Sequence, residues 1–163
     1  MSVTNVTKDP EALTMSITSR FDAPVERVWQ VWADPRRLER WWGPPTYPAT
    51  VTEHDLAVGG RVRYFMTGPE GDRHHGYWDV VEIDPPWRLS FRDGFADERD
   101  TPNDDLPRVE STVRLALLPE GGTEMVIEAR FPSLEAMETL LEMGMEPGIT
   151  AALGQIDAIL AER

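Results

Sequence analysis

Asp55-Leu56-Ala57-Val58-Gly59-Gly60-Arg61, running on to Glu82-Ile83-Asp84-Pro85-Pro86-Trp87-Arg88-Leu89-Ser90-Phe91, lies downstream of Phe21-Asp22-Ala23-Pro24-Val25-Glu26-Arg27-Val28-Trp29 and Trp41-Trp42-Gly43-Pro44. Read together, these segments place two short helices inside a chain whose other signals are almost all strand. Pro24 suits a first helical turn, where its missing N–H costs nothing, and Glu26 sits beside the positive helix end. Val25, Val28, Trp29 and Trp32 then share one face at helical spacing. Asp34-Pro35 stops this helix and starts the next, with Asp34 as N-cap and Pro35 as the first helical residue. Leu38, Trp41 and Trp42 form the apolar side of the second helix before Gly43-Pro44-Pro45 ends it.

The period changes to two on either side. Leu13, Met15, Ile17, Ser19 and Phe21 alternate with polar residues, which predicts a half-buried strand. Ala49 and Val51 begin another. Val62, Tyr64 and Met66 alternate with Arg61, Arg63 and Phe65, and the turn Gly68-Pro69-Glu70-Gly71-Asp72 predicts a hairpin partner over Tyr77 to Ile83. Trp87, Leu89 and Phe91 continue the series, followed by a polar loop from Asp93 to Pro107. Val109 to Leu117 and Met125 to Phe131 complete it around Pro119-Glu120-Gly121-Gly122. Beyond Ser133, a candidate cap, the period returns to helical with Leu134, Met137, Leu140 and Leu141, then Ile149, Ala152, Leu153, Ile156, Ile159 and Leu160. Gly144 and Pro147-Gly148 predict a kink or brief break in that helix.

Short turns between successive strands favour antiparallel pairing, and the last helix must bury its apolar face against the sheet. The expected fold is α+β. An antiparallel sheet of about six to seven strands curves around a long C-terminal helix, with two short helices after the first strand. Residues 1–10 are expected to be a flexible lead and 11–163 a single domain.

At 163 residues the chain has the length of one domain and can bury its own core without a staple. It has no cysteine, so disulfides, thiolate metal sites and cysteine nucleophiles are excluded. A net charge of −13 with Lys8 as the single lysine argues against a nucleic-acid partner. No run of about 18 apolar residues is present, so no membrane span is expected. The polar start carries no cationic, apolar signal, and a cytoplasmic location is expected.

The pattern resembles the family related to the activator of Hsp90 ATPase, within the START-like or Bet v 1-like helix-grip superfamily. The likeness rests on Phe21-x-Ala23-Pro24 with Val28-Trp29, Asp34-Pro35, Trp41-Trp42-Gly43-Pro44, Asp55-Leu56 with Val58-Gly59-Gly60, and Glu82-Ile83-x-Pro85 with Arg88-Leu89. It runs from about Thr14 to Leu160. Where similar proteins often carry Gly-Trp in the final helix, this chain has Gly148-Ile149, which removes a large ring from the expected cavity and could widen it. The eukaryotic co-chaperone of that family carries a further domain ahead of this one, for which this chain is expected to have no room.

The resemblance implies a cavity between sheet and final helix and a small hydrophobic molecule as partner. Alternation together with the fold analogy selects Val62, Tyr64, Met66, Trp78, Phe91, Val113, Met137, Leu141, Met145, Ile149 and Leu153 as its wall. Seven methionines suit a plastic apolar pocket, although core filling is their ordinary role. Trp29 and Trp32 sit at core spacing. Two other readings follow from the family: a chaperone as protein partner, or a polyketide cyclase-like or aromatase-like enzyme. For the enzyme the inward acid–base candidates are Glu82 and Tyr64, and neither has a visible partner.

His74-His75 and His54-Asp55 lack the converging ligands of a metal site. The acidic run Asp97, Glu98, Asp100, Asp104 and Asp105 lacks the glycine and alternation of a calcium loop. No phosphate-binding glycine loop and no Gly-x-Ser-x-Gly nucleophile motif occurs. No cofactor, no metal and no catalytic residue is assigned, and oligomeric state is left open.

Overall fold

The alternating segments pair in register into one eight-stranded antiparallel sheet. The structure, a computed structural model, describes residues 3–162. The strands are β1 (Val3–Asp9), β2 (Thr14–Phe21), β3 (Ala49–His54), β4 (Arg61–Thr67), β5 (Arg73–Asp84), β6 (Arg88–Ala96), β7 (Val109–Leu117) and β8 (Thr123–Arg130). Their order across the sheet is β1-β2-β8-β7-β6-β5-β4-β3. The chain leaves β2 beside β8, passes through α1 (Val25–Ala33) and α2 (Pro35–Leu38), and re-enters at the far edge as β3. Three helices follow β8: α3 (Leu134–Glu142), α4 (Met145–Leu153) and α5 (Ile156–Leu160).

One buried cluster joins sheet and helices. Met15 and Ile17 of β2, Phe91 of β6, Met125 and Ile127 of β8, Trp32 of α1 and Leu153 of α4 all belong to it. The two-residue period of the strands therefore selects one face, and the helices cover that face.

The helix ends behave as their chemistry requires. The Asp34 carboxylate accepts the Arg36 backbone N–H at 2.9 Å, and the Ser133 hydroxyl accepts that of Ala136 at 3.0 Å. Gly144, with φ of +92°, separates α3 from α4 in a left-handed conformation that glycine adopts without strain. Pro147-Gly148 does not break the chain's course. Pro147 falls in the first turn of α4, where a backbone N–H would have no intrahelical partner anyway. Gly154 and Gln155 keep right-handed angles, so α4 and α5 form a nearly continuous helical run from Met145 to Leu160.

Two expectations are corrected. The sheet has eight strands and not six to seven, and the extra one is β1, in the segment expected to be a flexible lead. Val3 and Val6 are its only apolar residues and both are just half-buried, so periodicity carries almost no signal there. Backbone pairing with β2 holds it, from Val3 opposite Ser19 to Asp9 opposite Thr14. Lys8 meets Glu146 of α4 at 2.6 Å, a charged side chain on an edge strand. The break in the C-terminal helix expected at Gly144 is present there, between α3 and the long α4–α5 run. Finally, strand β6 continues through Asp93 to Ala96, into what was expected to be loop.

Candidate functional site

Between the sheet and α3–α4 lies a cavity of about 340 Å³. Its wall is largely aromatic and aliphatic, with Trp32, Trp42, Tyr64 and Phe91 on one side and Met145 and Ile149 of α4 on another. Of the eleven residues selected from the sequence, Tyr64, Met66, Phe91, Met145 and Ile149 face this space. Val62, Trp78, Val113, Met137 and Leu153 are buried in the core instead, and Leu141 packs half-buried against it. Trp78 backs the wall: its ring stacks on Phe91 at 4.0 Å and meets Trp42 edge-on at 4.8 Å.

Short contacts set the position of the tryptophans. The Trp41 indole N–H donates to the Val31 carbonyl at 2.8 Å, and Trp32 packs edge-on against Trp41 with centroids 4.7 Å apart. Gln155, at the junction of α4 and α5, donates to the Gly43 carbonyl at 2.7 Å. The turn carrying Trp42 is thus tied to the helical roof.

One polar pair interrupts the apolar wall. The Tyr64 hydroxyl of β4 donates to Asp93 Oδ1 of β6 at 2.9 Å. The two strands are not neighbours, because β5 runs between them. The phenol crosses β5 at Gly76, the residue paired with Tyr64 in the β4–β5 register, and any side chain there would collide with the ring.

The second carboxyl oxygen of Asp93 has no protein partner among the described residues, and Asp93 lines the cavity. Burial pushes its pKa up to about 7, and the hydrogen bond from Tyr64 acts against that rise. Tyr64 is in turn raised well above the usual phenol range, first by burial and then by the negative charge of Asp93. The Trp42 indole N–H is near enough to oppose this but is not aligned for a hydrogen bond, and it has no other partner among the described residues. The pair therefore presents a carboxyl group that can gain or lose a proton near neutral pH.

Glu82 does not take the inward position expected of it. It is exposed, paired with Arg88 at 2.9 Å, and does not line the cavity. The inward carboxyl is Asp93 instead, and it supplies the partner that Tyr64 lacked in the sequence reading. Its signal was present in the sequence: it continues the inward register of Leu89 and Phe91 by one more step of two. The polar run that follows masked it.

Residues 22–161 match the sequence model of the family described as activator of Hsp90 ATPase homolog 1-like protein. The chain belongs to this family. Solved structures similar to this chain span a wide range of identity. Protein Ms6760 from Mycobacterium smegmatis is 48% identical over 99% of this chain and 98% of its own, with a TM-score of 0.90. A protein from Arthrobacter aurescens is 50% identical over 99% of this chain and 94% of its own, with a TM-score of 0.94. The AHSA1 protein from Silicibacter pomeroyi shares the fold at 24% identity, covering 91% of this chain and 97% of its own, with a TM-score of 0.68. No curated protein matches the chain. The helix-grip arrangement is thus established for this family member. No helix among its described residues is long and apolar enough to cross a membrane.

Proposed function

We propose that this protein binds a small molecule with a largely apolar body in the cavity between the sheet and α3–α4. The observation that carries this reading is the cavity itself: about 340 Å³ of space with aromatic and methionine walls and one hydrogen-bonding pair, Tyr64–Asp93, facing it. Ligand pockets typically enclose roughly 300–1,000 Å³, are mostly apolar, and fix orientation with a few polar groups. Met66, Met143 and Met145 border the space, and methionine adapts its shape to varied apolar surfaces. Tyr64, Met66, Phe91, Met145 and Ile149 are the proposed contacts from the sequence, and Trp42 and Asp93 join them.

Membership of the family supports the fold and leaves the ligand open. The test is a thermal-shift screen of the purified protein against flavonoids, fatty acids, polyketide-like aromatics, steroids and hydrophobic amines. A ligand at a hundredfold excess over its Kd adds about 2.7 kcal/mol to stability if it binds only the folded state. For a chain of this size each kcal/mol moves Tm by roughly 2–4 °C. A reproducible rise of that order for one chemical class is the expected result. No shift in any class, with cavity-filling variants equally unresponsive, would overturn the reading.

A further inference from the structure

The charge of the cavity is one-sided. Among the described residues, Tyr64, His74, His75 and Asp93 are the titratable ones that line it, and no lysine or arginine does. From β4 the group facing Asp93 is Tyr64, whose hydroxyl donates to it. From β5 come His74 and His75, and both are turned to other carboxylates: His74 lies 2.6 Å from Asp72 and His75 lies 3.4 Å from Asp100. From β7 the neighbours are Val109, directly opposite in the register, and Ser111. From α1 and the turn after α2 come Trp32 and Trp42, and from α3 to α4 come Met143, Gly144 and Met145. Arg61, Arg63 and Arg108 are engaged with Asp79, Glu53 and Asp79 respectively and do not line the space.

A carboxyl group thus opens into an apolar chamber with one free oxygen and no lysine or arginine among the described residues to neutralise it. Around it stand the rings of Trp32, Trp42, Tyr64 and Phe91, and aromatic faces attract positive charge. The whole chain carries −13, so its field draws cations toward the cavity and repels anions. From this placement we infer that the ligand is a hydrophobic amine, an aromatic or aliphatic body bearing one ammonium group that pairs with Asp93 among these rings. This rests on the ligand-binding reading above and narrows its chemical class. Fatty acids and other carboxylates are disfavoured on the same ground, since no lysine or arginine among the described residues lines the cavity to offset their charge.

The proton balance gives the inference a signature. Asp93 pairs with an ammonium group only when ionised, and burial holds its pKa near about 7. Binding of the amine at lower pH must therefore expel the carboxyl proton. Affinity should fall by up to about tenfold per pH unit below neutrality. An uncharged ligand displaces no proton and carries no such dependence.

Three probes with the same body test this by calorimetric titration of the full chain: phenylbutylamine, phenylbutanol and phenylbutanoate. At about pH 8 the amine should bind at least roughly tenfold more tightly than the alcohol, and the carboxylate should bind most weakly. Between about pH 7 and pH 5 the amine should weaken and the alcohol should not. Asp93→Asn should remove the preference for the amine while the alcohol still binds. If that variant does not fold, the pH series is run on His74→Gln and His75→Gln as well, and weakening of the amine that persists in both assigns the proton to Asp93. An alcohol that binds as well as the amine, or amine affinity that stays level across this range, would overturn the inference and leave the cavity reading intact. Failure of all three probes to bind would count against both.

Discussion

The phenol of Tyr64 lies so close over Gly76 that a Cβ on that glycine would stand 2.4 Å from the hydroxyl oxygen. This contact explains how a side chain from β4 can reach one on β6. In a sheet, residues two strands apart are normally screened from one another by the side chain between them. Here that side chain is a hydrogen. The gap left by Gly76 is what allows the 2.9 Å bond to Asp93, and with it the hydrogen-bonded pair in the cavity wall.

Gly76→Ala should therefore both destabilise the fold and break the pair. The ring is confined by Trp42, whose centroid is 5.9 Å from that of Tyr64, so it has little room to yield. Overpacking of this kind costs roughly 1–3 kcal/mol. Urea unfolding should show a lowered midpoint with an unchanged slope. An unaltered midpoint would mean that the ring moves freely, and that the hydrogen bond is not constrained by the glycine.

Tyr64→Phe should raise the pKa of Asp93 beyond about 7, because the hydrogen bond from the phenol favours the ionised carboxyl and opposes the effect of burial. Following the Asp93 carboxyl carbon by NMR as pH is varied measures this directly. A value that falls, or does not move, would show that the phenol does not donate to this carboxyl in solution.

Asp93→Asn isolates the contribution of this group to the pH dependence of stability. In the folded protein the carboxyl holds its proton up to about pH 7, against an ordinary value of 3.8. Across that window the folded state binds a proton that the unfolded chain has released. Stability from this group is therefore fully present below the ordinary value, declines as pH rises through the window, and is level above about 7. The slope cannot exceed about 1.4 kcal/mol per pH unit. Asparagine has no such slope, so the variant should gain on the unaltered protein between about pH 5 and pH 8 in paired urea titrations. A constant difference between the two proteins would mean that Asp93 titrates at an ordinary carboxyl pH.

Ile149→Trp should fill much of the cavity from the α4 side. Ile149 is half-buried and lines the space, so an indole can enter without displacing a packed neighbour. Tm should hold or rise, because added apolar contact replaces a void. Binding of any ligand identified in the screen should weaken by tenfold or more, on the order of 1.4 kcal/mol. Retained affinity with a raised Tm would place the ligand elsewhere.

Much of the architecture was legible because it depends on local patterns. The two-residue alternation of Met15, Ile17, Ser19 and Phe21 predicts a strand with one buried face, and all four are buried. Asp34-Pro35 and Ser133 predict helix starts through hydrogen bonds that reach only two or three residues, and both are made. Strand β1 was not legible in this way. An edge strand with two half-buried valines has almost no burial pattern, and its order comes from a partner in β2 that local sequence does not name. The extension of β6 through Asp93 was hidden similarly, because an inward carboxyl looks like the first residue of a polar loop.

The cavity wall divides along the same line. Alternation identified which residues leave the solvent-facing side, and so placed Tyr64 and Phe91 correctly on the inward face. It could not distinguish a residue facing empty space from one facing another side chain. Trp78 and Val113 share the inward face of the sheet yet are wholly buried, since whether a void or a neighbour stands opposite depends on where the helices rest. Periodicity and capping in the sequence alone determined the main run of strands and helices. The Tyr64–Asp93 pair, joining residues 29 positions apart across a glycine on a third strand, was decided only by the tertiary structure. The physical reason is that a hydrogen bond between non-adjacent strands needs the full three-strand register and an absent side chain between them, and neither is a property of any local segment.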